Sequence, residues 1–96
     1  MVLLSMGFEV IMKKKFQRVI RKMPLNARLT LNELILDMQE KGPYRREYRN
    51  FSTLNSSGTK FHCHLGWSWV ACWYAEKGSY IVEVYYVGSR EKAPYD

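Results

Sequence analysis

Apolar positions change period several times along the chain, and each change marks an element. From Gly7 to Met12 they alternate, with Phe8, Val10 and Met12 on one side and Glu9 and Ile11 on the other, the pattern of a short strand. Between Lys13 and Met23 the period lengthens. Phe16, Val19, Ile20 and Met23 recur at i, i+3, i+4 and i+7, which is one apolar stripe of a helix, while Lys14, Arg18, Arg21 and Lys22 make a basic face opposite. Pro24 ends that helix and can open the next, where Ala27, Leu31, Leu34, Ile35 and Met38 form a second stripe. Gly42-Pro43 stops it, the glycine suited to a left-handed cap and the proline unable to continue a helix.

After Pro43 the helical period is gone. The segment 44-YRREYRNFSTL-54 has no clear period, and only its second half is expected as a strand; Asn55-Ser56-Ser57-Gly58 is a loop. Lys60–Leu65 alternates again, with Phe61, Cys63 and Leu65 on one face and Lys60, His62 and His64 on the other. Gly66 turns the chain, Trp67–Ala75 is a long apolar strand, Lys77-Gly78 is a tight turn, and Tyr80–Val87 is a last strand rich in β-branched and aromatic residues. In the third of these, Trp67, Trp69 and Trp73 share a face expected to be mostly core, with Trp67 or Trp69 near the turn placed to stack a base. The expected fold is α+β: an antiparallel sheet, made of a meander of three C-terminal strands plus the N-terminal strand, with two N-terminal helices packed on one face. Residues 1–96 are expected to form one domain, because so short a chain encloses a single core.

Composition narrows the partners. The chain carries 15 Lys and Arg against 9 Asp and Glu, a formal charge of +6, which favours an acidic partner such as nucleic acid or an acidic protein. The opening run MVLLSMGFEVIM precedes Lys13-Lys14-Lys15, the reverse of a secretory signal, and is broken by Ser5, Gly7 and Glu9. No stretch approaches the roughly 18 apolar residues of a membrane span. Two cysteines do not make a disulfide framework, so a cytoplasmic domain with reduced, buried thiols is expected.

The chemistry concentrates in 60-KFHCHLGWSWVACWY-74. Zinc needs three or four converging ligands, and here the pleat sends His62 and His64 one way and Cys63 the other, with no third ligand at a useful spacing. No metal site and no cofactor are expected. The face carrying Lys60, His62 and His64 is either an ordinary solvated sheet surface or part of a site. If the tail 87-VGSREKAPYD-96 folds beside it, Lys60, His62, Arg90 and Tyr95 surround one concave patch. Such a group suits metal-independent RNA cleavage, with His62 as base near neutral pH and Arg90 gripping two phosphate oxygens.

The order strand, two helices, meander, closing on VGSREKAPY, resembles the RelE/ParE superfamily of toxins from type II toxin–antitoxin pairs, and within it the RelE branch. The resemblance implies a toxin that represses translation by ribosome-dependent mRNA cleavage, partnered by mRNA, the ribosome and an acidic antitoxin. It puts the family's alternating basic residues on Lys60 and His62, and its C-terminal arginine and tyrosine on Arg90 and Tyr95. The branch usually has another arginine early in the following strand, where this chain has 67-WSWV-70; that leaves transition-state stabilisation to Arg90 and Lys60. Lys14, Arg18, Arg21, His64, Trp67 and Lys92 are the expected RNA-binding residues. Two other readings stand beside this one: a ParE-like gyrase inhibitor, and a non-catalytic nucleic-acid-binding or regulatory module.

Overall fold

A computed structural model describes residues 7–95, so the first half of the apolar run at 1–12 lies outside the described residues. The elements are β1 (Glu9–Met12), α1 (Phe16–Lys22), α2 (Leu25–Lys41), β2 (Ser52–Thr53), β3 (Lys60–His64), β4 (Trp69–Tyr74), β5 (Ile81–Ser89) and a 3-10 turn at Arg90–Lys92. The five strands form one sheet in the order β1-β5-β4-β3-β2. The expected meander is present, since β3, β4 and β5 pair antiparallel in sequence. β1 differs from expectation in direction: it lies parallel to β5, with Glu9 opposite Ile81 and Met12 opposite Val84. A parallel neighbour needs a crossover rather than a tight turn, and here the helices and the rest of the sheet supply it.

Both helices bury the stripes that their spacing predicts. Phe16 and Met23 of the first stripe, and Ala27, Leu31, Leu34 and Met38 of the second, are buried in one cluster with Phe61, Cys63, Leu65, Ala71, Trp73, Val82 and Val84. Phe8, Val10 and Met12 pack against the same cluster, so β1 turns its apolar side to the core as its alternation required. Truncating Leu31 or Leu34 to alanine would cost about 2–5 kcal/mol at such fully buried positions. Gly42 ends α2 with its N–H donating to the Met38 carbonyl at 2.9 Å. Its φ of 93° and ψ of −172° are not those of the expected left-handed cap but of a region that essentially only glycine enters. A Cβ there would also stand 2.7 Å from the Phe8 ring.

Two features break the regularity of the sheet. A bulge between Cys72 and Trp73 shifts the register against β5, so that Cys72 pairs with Tyr86 and Trp73 with Val84. At the end of β5 the Tyr86 ring lies across Gly88, its hydroxyl donating to the Ser89 carbonyl at 2.8 Å; a Cβ on Gly88 would meet that hydroxyl at 2.7 Å. No helix among the described residues is long and apolar enough to cross a membrane.

Candidate functional site

Three irregular segments converge on the end of β3, and backbone hydrogen bonds hold each of them there. The His64 N–H donates to the Arg49 carbonyl at 2.8 Å, drawing in the segment between α2 and β2. The Leu65 N–H donates to the Trp69 carbonyl at 2.8 Å and closes the turn that carries Trp67. The Arg90 N–H donates to the Ser68 carbonyl at 2.8 Å, which ties the chain after β5 to that same turn. Between them opens a cleft of about 350 Å³ lined by Arg49, Asn50, His62, His64, Trp67, Arg90 and Tyr95.

The two imidazoles form its floor. Their ring centroids are 5.7 Å apart, because alternate strand residues share a face. Tyr95 stands edge-on to His62 with centroids 4.8 Å apart, so the tail does fold back beside β3. On its other side His62 Nδ1 lies 3.0 Å from Ser52 Oγ of the edge strand β2. With Nδ1–H donating to that hydroxyl, Nε2 is left as the proton acceptor. Both histidines are less easily protonated than a free imidazole. For His62 the first cause is burial, then the His64 charge; for His64 it is burial, then the guanidiniums of Arg90 and Arg49. Burial raises the Tyr95 phenol, which therefore keeps its proton.

The positive groups are exposed and free of carboxylate ion pairs among the described residues, so they can meet a phosphate. Arg90 and Arg49 are both exposed, and the Arg49 guanidinium lies 6.0 Å above the indole of Trp67. Trp67 is 76% exposed and outside β4, which begins only at Trp69. It therefore departs from the shared core face expected of the three tryptophans, whereas Trp73 is fully buried and Trp69 packs on the core. The Gly66 turn accounts for the difference, since it takes Trp67 out of the pleat. Asn50, beside Arg49, has φ of 54°, a left-handed conformation that asparagine tolerates better than most residues.

Of the four residues expected to carry the chemistry, His62, Arg90 and Tyr95 line the cleft together. Lys60 shares their face but sits at the far end of the strand, its ammonium 5.7 Å from the Tyr85 ring centre. Among the expected RNA-binding residues, His64 and Trp67 line the cleft, and Lys92 is exposed in the turn after β5. Lys14, Arg18 and Arg21 line a separate basic hollow on α1 together with Lys15 and Gln17. The residue that sequence reasoning missed is Arg49. Its only signal was the basic run 45-RREYR-49 in a segment without period, and nothing local distinguishes Arg49 from Arg45 or Arg46. Arg45 instead pairs with Glu47 at 2.8 Å.

Thiol chemistry has no place in the cleft. Cys63 and Cys72 are both fully buried, and burial pushes each thiol up to about 12, the setting of inert cysteines. Among the described residues no group of three His, Cys, Asp or Glu side chains stands close enough to hold a metal ion.

No protein-family model and no curated protein matches the sequence. Solved structures do match the fold. The archaeal RelE–RelB complex from Pyrococcus horikoshii OT3 aligns over 92% of this chain and 100% of its own, with a TM-score of 0.73 at 13% identity. A mutant of the E. coli toxin RelE in the free state aligns over 94% of this chain and 90% of its own, with a TM-score of 0.65 at 14% identity. The toxin–antitoxin complex RelBE2 from Mycobacterium tuberculosis aligns over 88% and 99%, with a TM-score of 0.57 at 15% identity. Two helices on a five-stranded, mostly antiparallel sheet, matched over nearly the whole length of each chain, give this protein the RelE fold.

Proposed function

We propose that this protein is the toxin of a toxin–antitoxin module and that it represses translation by cutting mRNA at the cleft beside β3. The observation that carries the reading is the cleft itself: two imidazoles, two guanidiniums and a phenol converge on a space of about 350 Å³. Cleavage by the ribose 2′-hydroxyl needs a base, a cationic cradle for the phosphorane and a proton for the leaving oxygen, and these residue types supply all three. His62 Nε2 takes the proton of the 2′-hydroxyl. Arg90 and Arg49 hold the non-bridging oxygens, where charge grows as the phosphorane forms. Arg49 thereby does the work of the second arginine usual in the RelE branch, from a different segment of the chain. Tyr95, edge-on to His62, fixes the orientation of the base. Trp67 offers an exposed indole on which a neighbouring nucleobase can stack.

Two of the matched structures are RelE–RelB and RelBE2 complexes, which supports an antitoxin as the partner here. For a chain of charge +6 that partner is acidic, a segment that folds as it covers the cleft and the helices. The basic hollow at α1 suits ribosomal RNA, because it gathers Lys14, Lys15, Arg18 and Arg21 in a hollow separate from the cleft. A gyrase inhibitor would have no use for the paired histidines.

Induced expression in a bacterial host tests the reading. Growth arrest with cut mRNA, and fragments ending in 2′,3′-cyclic phosphate in ribosome reactions at fixed magnesium, is the expected result. Harmless accumulation with intact mRNA would refute it.

A further inference from the structure

On the ribonuclease reading His62 is the base, but the leaving 5′-oxygen also needs a proton, and the cleft offers few sources. Guanidiniums donate hydrogen bonds without giving up protons near neutrality. The Tyr95 phenol holds its proton too tightly to match the task. Among the described residues lining the cleft, that leaves one other side chain whose chemistry titrates near pH 7.

We propose that His64 is the general acid of this site, protonating the 5′-oxygen on the side of the phosphorus away from His62. The inference rests on the ribonuclease reading above and assigns the second half of its proton transfer. With ring centroids 5.7 Å apart, the two imidazoles can flank a phosphoryl group lying about 3 Å from a nitrogen of each. They are also unlike each other. His62 is pinned between Ser52 and Tyr95, which suits a neutral base. His64 instead sits against Arg49 and Arg90, where the phosphate must bind.

That neighbourhood makes the acid respond to substrate. From its own strand His64 faces His62; from the segment before β2 it faces Arg49, and from the chain after β5 Arg90 and Tyr95. An adjoining groove on its other side adds Glu47 and Tyr48 from that segment, and Glu33 and Asp37 from α2. In the free site burial and the two guanidiniums keep the ring neutral. A bound phosphate neutralises those guanidiniums and adds its own negative charge, so the ring takes up a proton from water as substrate binds and holds it for the leaving oxygen. As the 2′-oxygen bonds to phosphorus, its proton passes to His62. The bond from phosphorus to the 5′-oxygen breaks, the electron pair stays on that oxygen, and the His64 proton joins it. The products are a 2′,3′-cyclic phosphate and a 5′-hydroxyl, with His62 charged and His64 neutral until exchange with water resets them.

A sulfur atom in place of the bridging 5′-oxygen tests the assignment, because a thiolate leaves without a proton. In ribosome reactions on matched mRNAs, His64→Gln should slow cleavage at the ordinary phosphate about a hundredfold or more, yet stay within about threefold of wild type at the sulfur-bridged one. His62→Gln should slow both. The sulfur substrate doubles as the folding control, and a measurement on unaltered protein stands beside it: the alkaline limb of the wild-type pH–rate profile should vanish with sulfur. Equal losses on the two substrates, or an alkaline limb that survives with sulfur, would overturn the role of His64 and leave the ribonuclease reading standing. Wild-type protein that cut neither substrate would overturn both.

Discussion

Trp73 is where the sheet holds the segment that carries Arg49, and replacing it with phenylalanine has a calculable cost. The indole is fully buried, stacked on Phe61 with centroids 6.1 Å apart and tilted against Phe51 at the same distance. Its Nε1–H donates to the Pro43 carbonyl at 2.8 Å. Trp73→Phe removes that donor and leaves a half-buried carbonyl without its partner, which costs about 1–3 kcal/mol. The smaller ring adds a void worth about 1 kcal/mol more. The expected loss is therefore about 2–4 kcal/mol, a large share of the roughly 5–15 kcal/mol that holds a small domain together. In urea, with a slope of about 1–1.5 kcal/mol/M for a chain this size, the midpoint should fall by about 2 M. Hydrogen exchange should locate part of the effect: the amides of Tyr48, Phe51 and His64, which bond within or to that segment, should lose protection before those of β4 and β5. A midpoint shift under about 0.5 M would refute the reasoning, since neither the hydrogen bond nor the packing could then carry the weight given to them.

Other consequences can be checked with standard assays. Arg49→Ala should reduce mRNA cleavage on the order of a hundredfold while the thermal melt stays close to wild type, and Arg49→Lys should recover little because a point charge cannot replace a fork of donors. Tyr95→Phe should keep most of the cleavage rate, since the ring rather than the hydroxyl borders His62. Neither Cys63 nor Cys72 should react with iodoacetamide at pH 8 in the native state, and both should label promptly in denaturant. Folding depresses both histidines below the ordinary 6.5, so the unfolded chain binds more protons as pH drops through that value. Thermal stability should accordingly fall from pH 7 towards pH 5, and the His62→Gln, His64→Gln double variant should flatten that slope.

What the sequence disclosed and what it withheld divide along a physical line. Both helix stripes and the alternation of β3 follow from local periodicity, and each proved to bury the expected side. The same alternation put His62 and His64 together, and the placement of Tyr95 depended only on the tail returning to β3. Arg49 is brought to the cleft by a long-range backbone bond from His64 and by the side-chain contacts of its segment, and Asn50 by a left-handed twist; none of these leaves a periodic trace. Lys60 shares its face with the histidines, but periodicity gives a face and not a position along it. Two residues before the next strand proper, Trp67 reads as part of the pleat by its hydrophobicity, which a turn residue does not have to obey. The direction of β1 was invisible for a similar reason: alternation fixes which side of a strand is buried, not which way the strand runs.

That parallel pairing has a bearing on how the chain is made. Glu9 and Met12 leave the ribosome long before their partners Ile81 and Val84, about 70 residues further on, and no hairpin can bring them together earlier. The helices and the β3–β4–β5 meander can assemble from near neighbours, but closing the loop to β1 must wait for nearly the whole chain and carries the largest entropy cost of any pairing in the sheet. Until then the edge of β5 lies open, and Phe8, Val10 and Met12 have only the helices to cover them, with no sheet to hold β1 in place. Docking of β1 onto β5 is thus expected to come late in folding, and the interval before it is when a nascent chain is most exposed to pairing with the wrong edge.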